Sequence, residues 1–150
     1  ALVTAAVEPD AHFVAYSHKL VDVTIRPSMR LDEVCRMLRA IPFGRTYCSL
    51  PITDAIMSGA AVDTFVSYTD CQAWDGGSRY GSWNQPPVRT TSEKLKEYRM
   101  RSGLPARHAV CSFDASAITL VDPNDPGELD FVGLSADLPH LLSSFIQGEV

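Results

Sequence analysis

From Leu31 onward the hydrophobic period switches repeatedly between helix and strand, and few folds accommodate that alternation. Leu31, Val34, Cys35, Leu38 and Ile41 recur at helical spacing and line one face. Asp32 and Glu33 fall early in this segment and Arg36 and Arg39 late, as the helix dipole favours. Ser28 is the candidate N-cap and Pro42 stops the helix. A second helix is expected over residues 50–57, capped by Ser49, with Pro51 in its first turn and Gly59 ending it. Residues 62–68 form a largely apolar run with a polar tip at Thr69-Asp70, which reads as a core strand. Thr90 with Glu93 makes a capping-box pattern that opens a helix through Arg101, closed by Gly103. Residues 107–113 are another buried-type strand. Residues 118–121 and 129–133 are short extended pieces around a turn at 122–127. Ser135 caps a final helix with Leu138, Leu141, Leu142, Phe145 and Ile146 on one face.

Upstream the pattern differs. Residues 1–7 look like the tail of a helix too short to stand alone. Residues 12–17 and 20–25 read as two strands, and the few residues between them suit only an antiparallel hairpin. A hairpin followed by alternating helices and strands implies a doubly wound α/β domain. Its sheet would be mostly parallel, with helices on both faces. At 150 residues the chain fits one such domain.

Composition narrows the partners. With a net charge of -5 the surface as a whole is unsuited to phosphate binding. Arg99, Arg101 and Arg107 lie close in sequence, but two of them sit where cations complement a helix end. No apolar run is long enough to cross a bilayer, and residues 1–6 lack the basic flank and long apolar core of a secretory signal. The four cysteines show no C-x-x-C spacing, so a reduced, cytoplasmic protein is expected. The first residue is Ala rather than Met, which suggests an excerpt of something longer.

Ligands of doubly wound sheets bind at the carboxyl ends of the strands. Thr46, in a loop before a helix, and Asp70, at a strand tip, belong to that edge. A hydroxyl and a carboxylate are hard oxygen donors suited to Mg²⁺. Catalytic arrangements are poorly supported. The histidines lack metal-ligand spacing, and Cys111 and His108 would fall on opposite faces of one strand. The segment 122–128 resembles a calcium loop, yet Pro126 stands where an oxygen ligand is needed, so a turn is expected. The long aperiodic loop 71–89 offers Trp74, Tyr80 and Trp83 with Arg79 and Arg89. These residues suit stacking on unpaired bases, or alternatively packing that holds the loop down.

Several stretches fall in one order along the chain: Gly44-Arg45-Thr46-Tyr47-Cys48-Ser49-Leu50-Pro51, Tyr68-Thr69-Asp70 and Leu95-Lys96-Glu97-Tyr98-Arg99. Leu104-Pro105-Ala106-Arg107, Val110-Cys111 and the run from Asp122 to Asp130 follow. Together they resemble the von Willebrand factor A domain of the Ro autoantigen (TROVE-domain) ribonucleoprotein family over nearly the whole chain. The resemblance implies a Rossmann-like fold and a metal-ion-dependent adhesion site, in which Thr46 and Asp70 match the later threonine and aspartate. The first strand of the family and its Asp-x-Ser-x-Ser motif have no counterpart here, and Arg45 and Tyr47 replace the usual neighbours of the threonine. Mg²⁺ or another divalent cation is therefore expected in the complete domain, and little tight binding by this chain alone. Without that strand the sheet has three routes open: a strand from the same protein, one from another chain, or closure of the gap.

In this family, the resemblance implies, a ring of helical repeats binds misfolded small RNAs and Y RNAs, and the A-type domain closes the ring. The expected function is therefore a non-catalytic domain of an RNA-binding ribonucleoprotein, without a membrane role. The alternative is a stand-alone A-type module that recognises a protein carboxylate through a divalent metal.

Overall fold

The computed structural model describes residues 1–42, 44, 46–70, 91–113, 120–133, 135 and 137–149. Among the described residues ten elements follow one another: α1 (Leu2–Val7), β1 (Phe13–Tyr16), β2 (Leu20–Val23), α2 (Leu31–Arg39), α3 (Leu50–Ser58), β3 (Thr64–Thr69), α4 (Thr91–Ser102), β4 (Arg107–Ser112), β5 (Glu128–Val132) and α5 (Leu138–Gln147). β3, β4 and β5 form a parallel sheet in that order, and β1 and β2 pair antiparallel. The doubly wound α/β expectation holds.

β4 is the central strand, and every residue from His108 to Ser112 is buried. Strand alternation sends its two faces into different layers. Val66, Ala109, Leu129 and Phe131 meet Leu142, Phe145 and Ile146 of α5 on one side. On the other, Phe65 joins Ile52 and Ala55 of α3 and Leu95 and Tyr98 of α4. Helices thus cover both faces.

The hairpin and the three-stranded sheet share no strand pairing among the described residues. The gap between β1 and β3 has not closed, which removes one of the three routes. Packing joins the two parts instead: Tyr16, the last residue of β1, lies against Cys48, Val110 and Leu120.

Helix ends depart from the sequence expectation in small ways. The N-cap of α2 is Arg30 rather than Ser28, and Glu33 reaches back to accept the Arg30 N–H at 2.9 Å. An acidic side chain at that position satisfies a donor the helix cannot, so the start moves to it. Ser49 caps α3 without a side-chain bond; its carbonyl instead accepts from Thr53 N–H and O–H. α5 starts after Asp137, and Ser135 Oγ accepts the Asp137 N–H one turn earlier. Gly59 and Gly103 end their helices with left-handed backbones, φ 70° and 73°. Leu120 and Val121 are not in a strand, and the rest of 118–121 lies outside the described residues, as does Thr90.

The segment 122–128 is a turn, built as a clamp onto α4. Lys96 Nζ meets Asp122 at 2.7 Å, and Ser92 Oγ donates to the buried Glu128 at 2.6 Å. The Arg99 guanidinium bridges the Asp125 carboxylate and the Ala106 carbonyl. Asp122 and Asp125 also accept the backbone N–H groups of Asn124 and Gly127. Burial pushes the Asp125 carboxyl up, but Arg99 and the Gly127 N–H together hold it below its ordinary value. These oxygens are occupied by fixed protein donors and cations, as a structural turn requires.

Candidate functional site at the carboxyl edge of the strands

Thr46 sits half-buried in the loop before α3, and Asp70 is the exposed residue that follows β3. The loop is fixed close to the sheet. Tyr47 N–H donates to the Ser17 carbonyl at 3.0 Å, and Cys48 is buried against Val110. Val110 pairs with Ser67, so the loop lies over the carboxyl-terminal half of β3 and β4. Asp70 belongs to the same half because Thr69 ends β3 there, its carbonyl accepting the Phe113 N–H at 3.0 Å.

The donor chemistry fits a hard divalent cation: one hydroxyl and one carboxylate, both beside a strand terminus. The number of donors is small. Among the described residues no group of three or more His, Cys, Asp or Glu side chains gathers closely enough to hold a metal ion. Trp74, Arg79, Tyr80, Trp83 and Arg89 lie outside the described residues, as does Arg45.

His108 and Cys111 lie in the core rather than at this edge. His108 is fully buried with Nε2 3.0 Å from Ser67 Oγ, and burial lowers its pKa to about 4, helped by the Arg99 charge. Cys111 points to the opposite face of β4 from His108, and burial pushes its thiol up to about 11. A thiol of that kind is a poor nucleophile, and the two residues form no acid–base pair. Arg99, Arg101 and Arg107 do not make a common basic patch: Arg101 pairs with Glu97 at 2.8 Å, and Arg107 donates to the Phe145 carbonyl. Arg99 and Arg101 do lie in the last turn of α4, where cations complement the helix dipole as expected, and their side chains are also paired locally. Among the described residues no helix is long and apolar enough to cross a membrane.

A feature that sequence reasoning missed is the contact of the β1–β2 turn with the threonine loop. Gly44 lies so close to the His18 imidazole that a Cβ on it would meet the ring. The residues are far apart in the chain, so no local pattern announces the contact.

The Ro60 vWA domain family matches residues 1–146. The chain belongs to that family. It is 28% identical over 144 residues, 95% of its length, to an RNA-binding protein RO60 of Caenorhabditis elegans. Against the RNA-binding protein RO60 of Deinococcus radiodurans it is 30% identical over 149 residues. The crystal structure of the Deinococcus radiodurans RO (RSR) protein superposes with a TM-score of 0.83 at 28% identity, covering 99% of this chain and 28% of that one. The chain spans only 21% and 26% of the two RO60 relatives, about a fifth and a quarter of those longer proteins.

Proposed function

We propose that this Ro60 vWA domain is a non-catalytic part of an RNA-binding ribonucleoprotein, where it closes a ring of helical repeats around misfolded small RNAs and Y RNAs. Thr46 and Asp70 supply two donors of a metal-ion-dependent adhesion site that Mg²⁺ completes with ligands from elsewhere. The observation that carries this reading is the coverage: RNA-binding relatives match 95–99% of this chain while extending far beyond it. The net charge of -5 favours RNA contacts on the rest of such a protein over this domain's overall surface. The free thiols Cys35, Cys48 and Cys111 suit a reducing, cytoplasmic setting.

Fluorescence anisotropy with a labelled small RNA tests the assignment. The chain alone is expected to bind weakly at physiological salt, and a protein joining it to the helical ring tightly. Tight binding by the isolated chain would refute the division of labour. If a protein ligand bearing a carboxylate binds in a metal-dependent way while RNA never does, the stand-alone adhesion module is the correct reading. In the ring-containing protein, Trp83→Ala should weaken RNA binding by about 1–3 kcal/mol if the loop stacks on bases. Unchanged affinity assigns that loop to packing.

Two donors displace little of the firmly held hydration shell of Mg²⁺. Calorimetric titration of this chain with low millimolar Mg²⁺ is therefore expected to show little or no binding, and a tight 1:1 isotherm would contradict the two-donor assignment.

A further inference from the structure

The loop carrying Thr46 touches the β1–β2 turn on both sides of the threonine. After it, Tyr47 N–H donates to the Ser17 carbonyl at 3.0 Å. Before it, Gly44 is so close to the His18 ring that a Cβ there would lie 2.5 Å from Nδ1 and 3.3 Å from Cε1. The close approach of the exposed His18 ring is what favours a residue without a side chain at Gly44. The imidazole is itself 3.2 Å from Ser17 Oγ, which ties it to its own turn. Next along the loop, Cys48 is buried with Tyr16, the residue preceding Ser17. Turn and loop are therefore joined at three places.

We propose that the β1–β2 turn is the positioning device for Thr46: Ser17 and His18 set where the threonine stands at the sheet edge, and Gly44 is the residue that lets them. Neither His18 nor Gly44 needs to touch a ligand. The consequence for cation sharing between Thr46 and Asp70 rests on the metal-site reading above; the positioning itself does not.

Amide NMR of the isotope-labelled chain separates the two. Gly44→Val should shift the Thr46 amide resonance and speed hydrogen exchange of the Tyr47 amide about tenfold or more, because local opening then breaks its bond to Ser17. The β4 amides should keep their protection. Adding His18→Ala to Gly44→Val removes the ring the valine strikes, and should return both Thr46 and Tyr47 toward their original values. A general loss of structure would not be rescued in this way. Should valine prevent folding, Gly44→Ala with and without His18→Ala gives the same comparison at smaller amplitude. Unmoved Thr46 and Tyr47 signals, with the imidazole simply swinging aside, would overturn the proposal, and so would a double variant as displaced as the single one. Millimolar Mn²⁺ serves as the cation probe. It should broaden the Thr46 and Asp70 amides together in the original chain, and Asp70 without Thr46 in Gly44→Val. Broadening at neither residue in the original chain would mean that two donors hold no cation without the ligands from elsewhere, and the exchange and shift data then decide the positioning alone.

Discussion

Replacing Tyr98 by alanine is expected to destabilise the domain by about 3–5 kcal/mol, measured by urea unfolding. The side chain is 1% exposed and its ring meets Phe65 edge-on, with centroids 5.3 Å apart. Truncation leaves a cavity among Ile52, Ala55, Leu95 and Ala106 that these rigidly held neighbours cannot fill. The hydroxyl adds a second effect. It donates to the Ala60 carbonyl at 2.8 Å and accepts the Val62 N–H at 2.7 Å, so it fixes the connection between α3 and β3. Tyr98→Phe keeps the ring and deprives both backbone groups of a partner, for an expected loss of about 1–3 kcal/mol. A loss under 1 kcal/mol for the alanine variant, the scale of an ordinary surface change, would mean that α4 does not hold β3 as described. The point matters for function because Asp70 is carried at the far end of that strand.

Lowering the pH from 6.5 to 4 is expected to cost the fold about 3 kcal/mol through His108 alone. Its pKa falls from the ordinary 6.5 to about 4, first because the ring is fully buried and second because Arg99 is near. The unfolded chain therefore takes up this proton below pH 6.5, whereas the folded chain resists it down to about pH 4. The contribution is complete above pH 6.5 and is lost as pH falls through that window. Glu128 acts in the opposite sense, since burial raises its carboxyl and protonation there favours the folded state. Asp122, held down chiefly by its bond to Lys96, loses its contribution only at more acid pH. His108→Gln removes the titration while retaining a polar partner for Ser67. Urea unfolding at a series of pH values should show a flatter profile for this variant between pH 6.5 and 5, and identical slopes would exclude His108 as the source.

The legible part of this protein was its local order. Periodicity at Leu31, Val34, Cys35 and Leu38 located α2, the capping pattern near Glu93 located α4, and the short link after Tyr16 required a hairpin. Such signals are written within a few residues of one another, so they survive without knowledge of the fold. The loop motifs around Thr46 and Asp70 carried the family resemblance for the same reason. Helix starts were less legible: Ser28 and Arg30 are both plausible, and only the reach of Glu33 settles between them.

What the tertiary structure decided were the pairings across sequence distance. Arg99 stands at a helix end as the sequence implied, but only packing gave it Asp125 and gave Arg107 the Phe145 carbonyl. His108 could have faced solvent, and its burial beside Ser67 gives the domain its acid sensitivity. The open interval between β1 and β3, bridged by side-chain packing rather than backbone pairing, follows from no local propensity. Nor does the seat of Gly44 against His18. Sequence fixes which residues a segment offers on each face. Which faces meet depends on the free energy of burying them together, and that is a property of the whole chain.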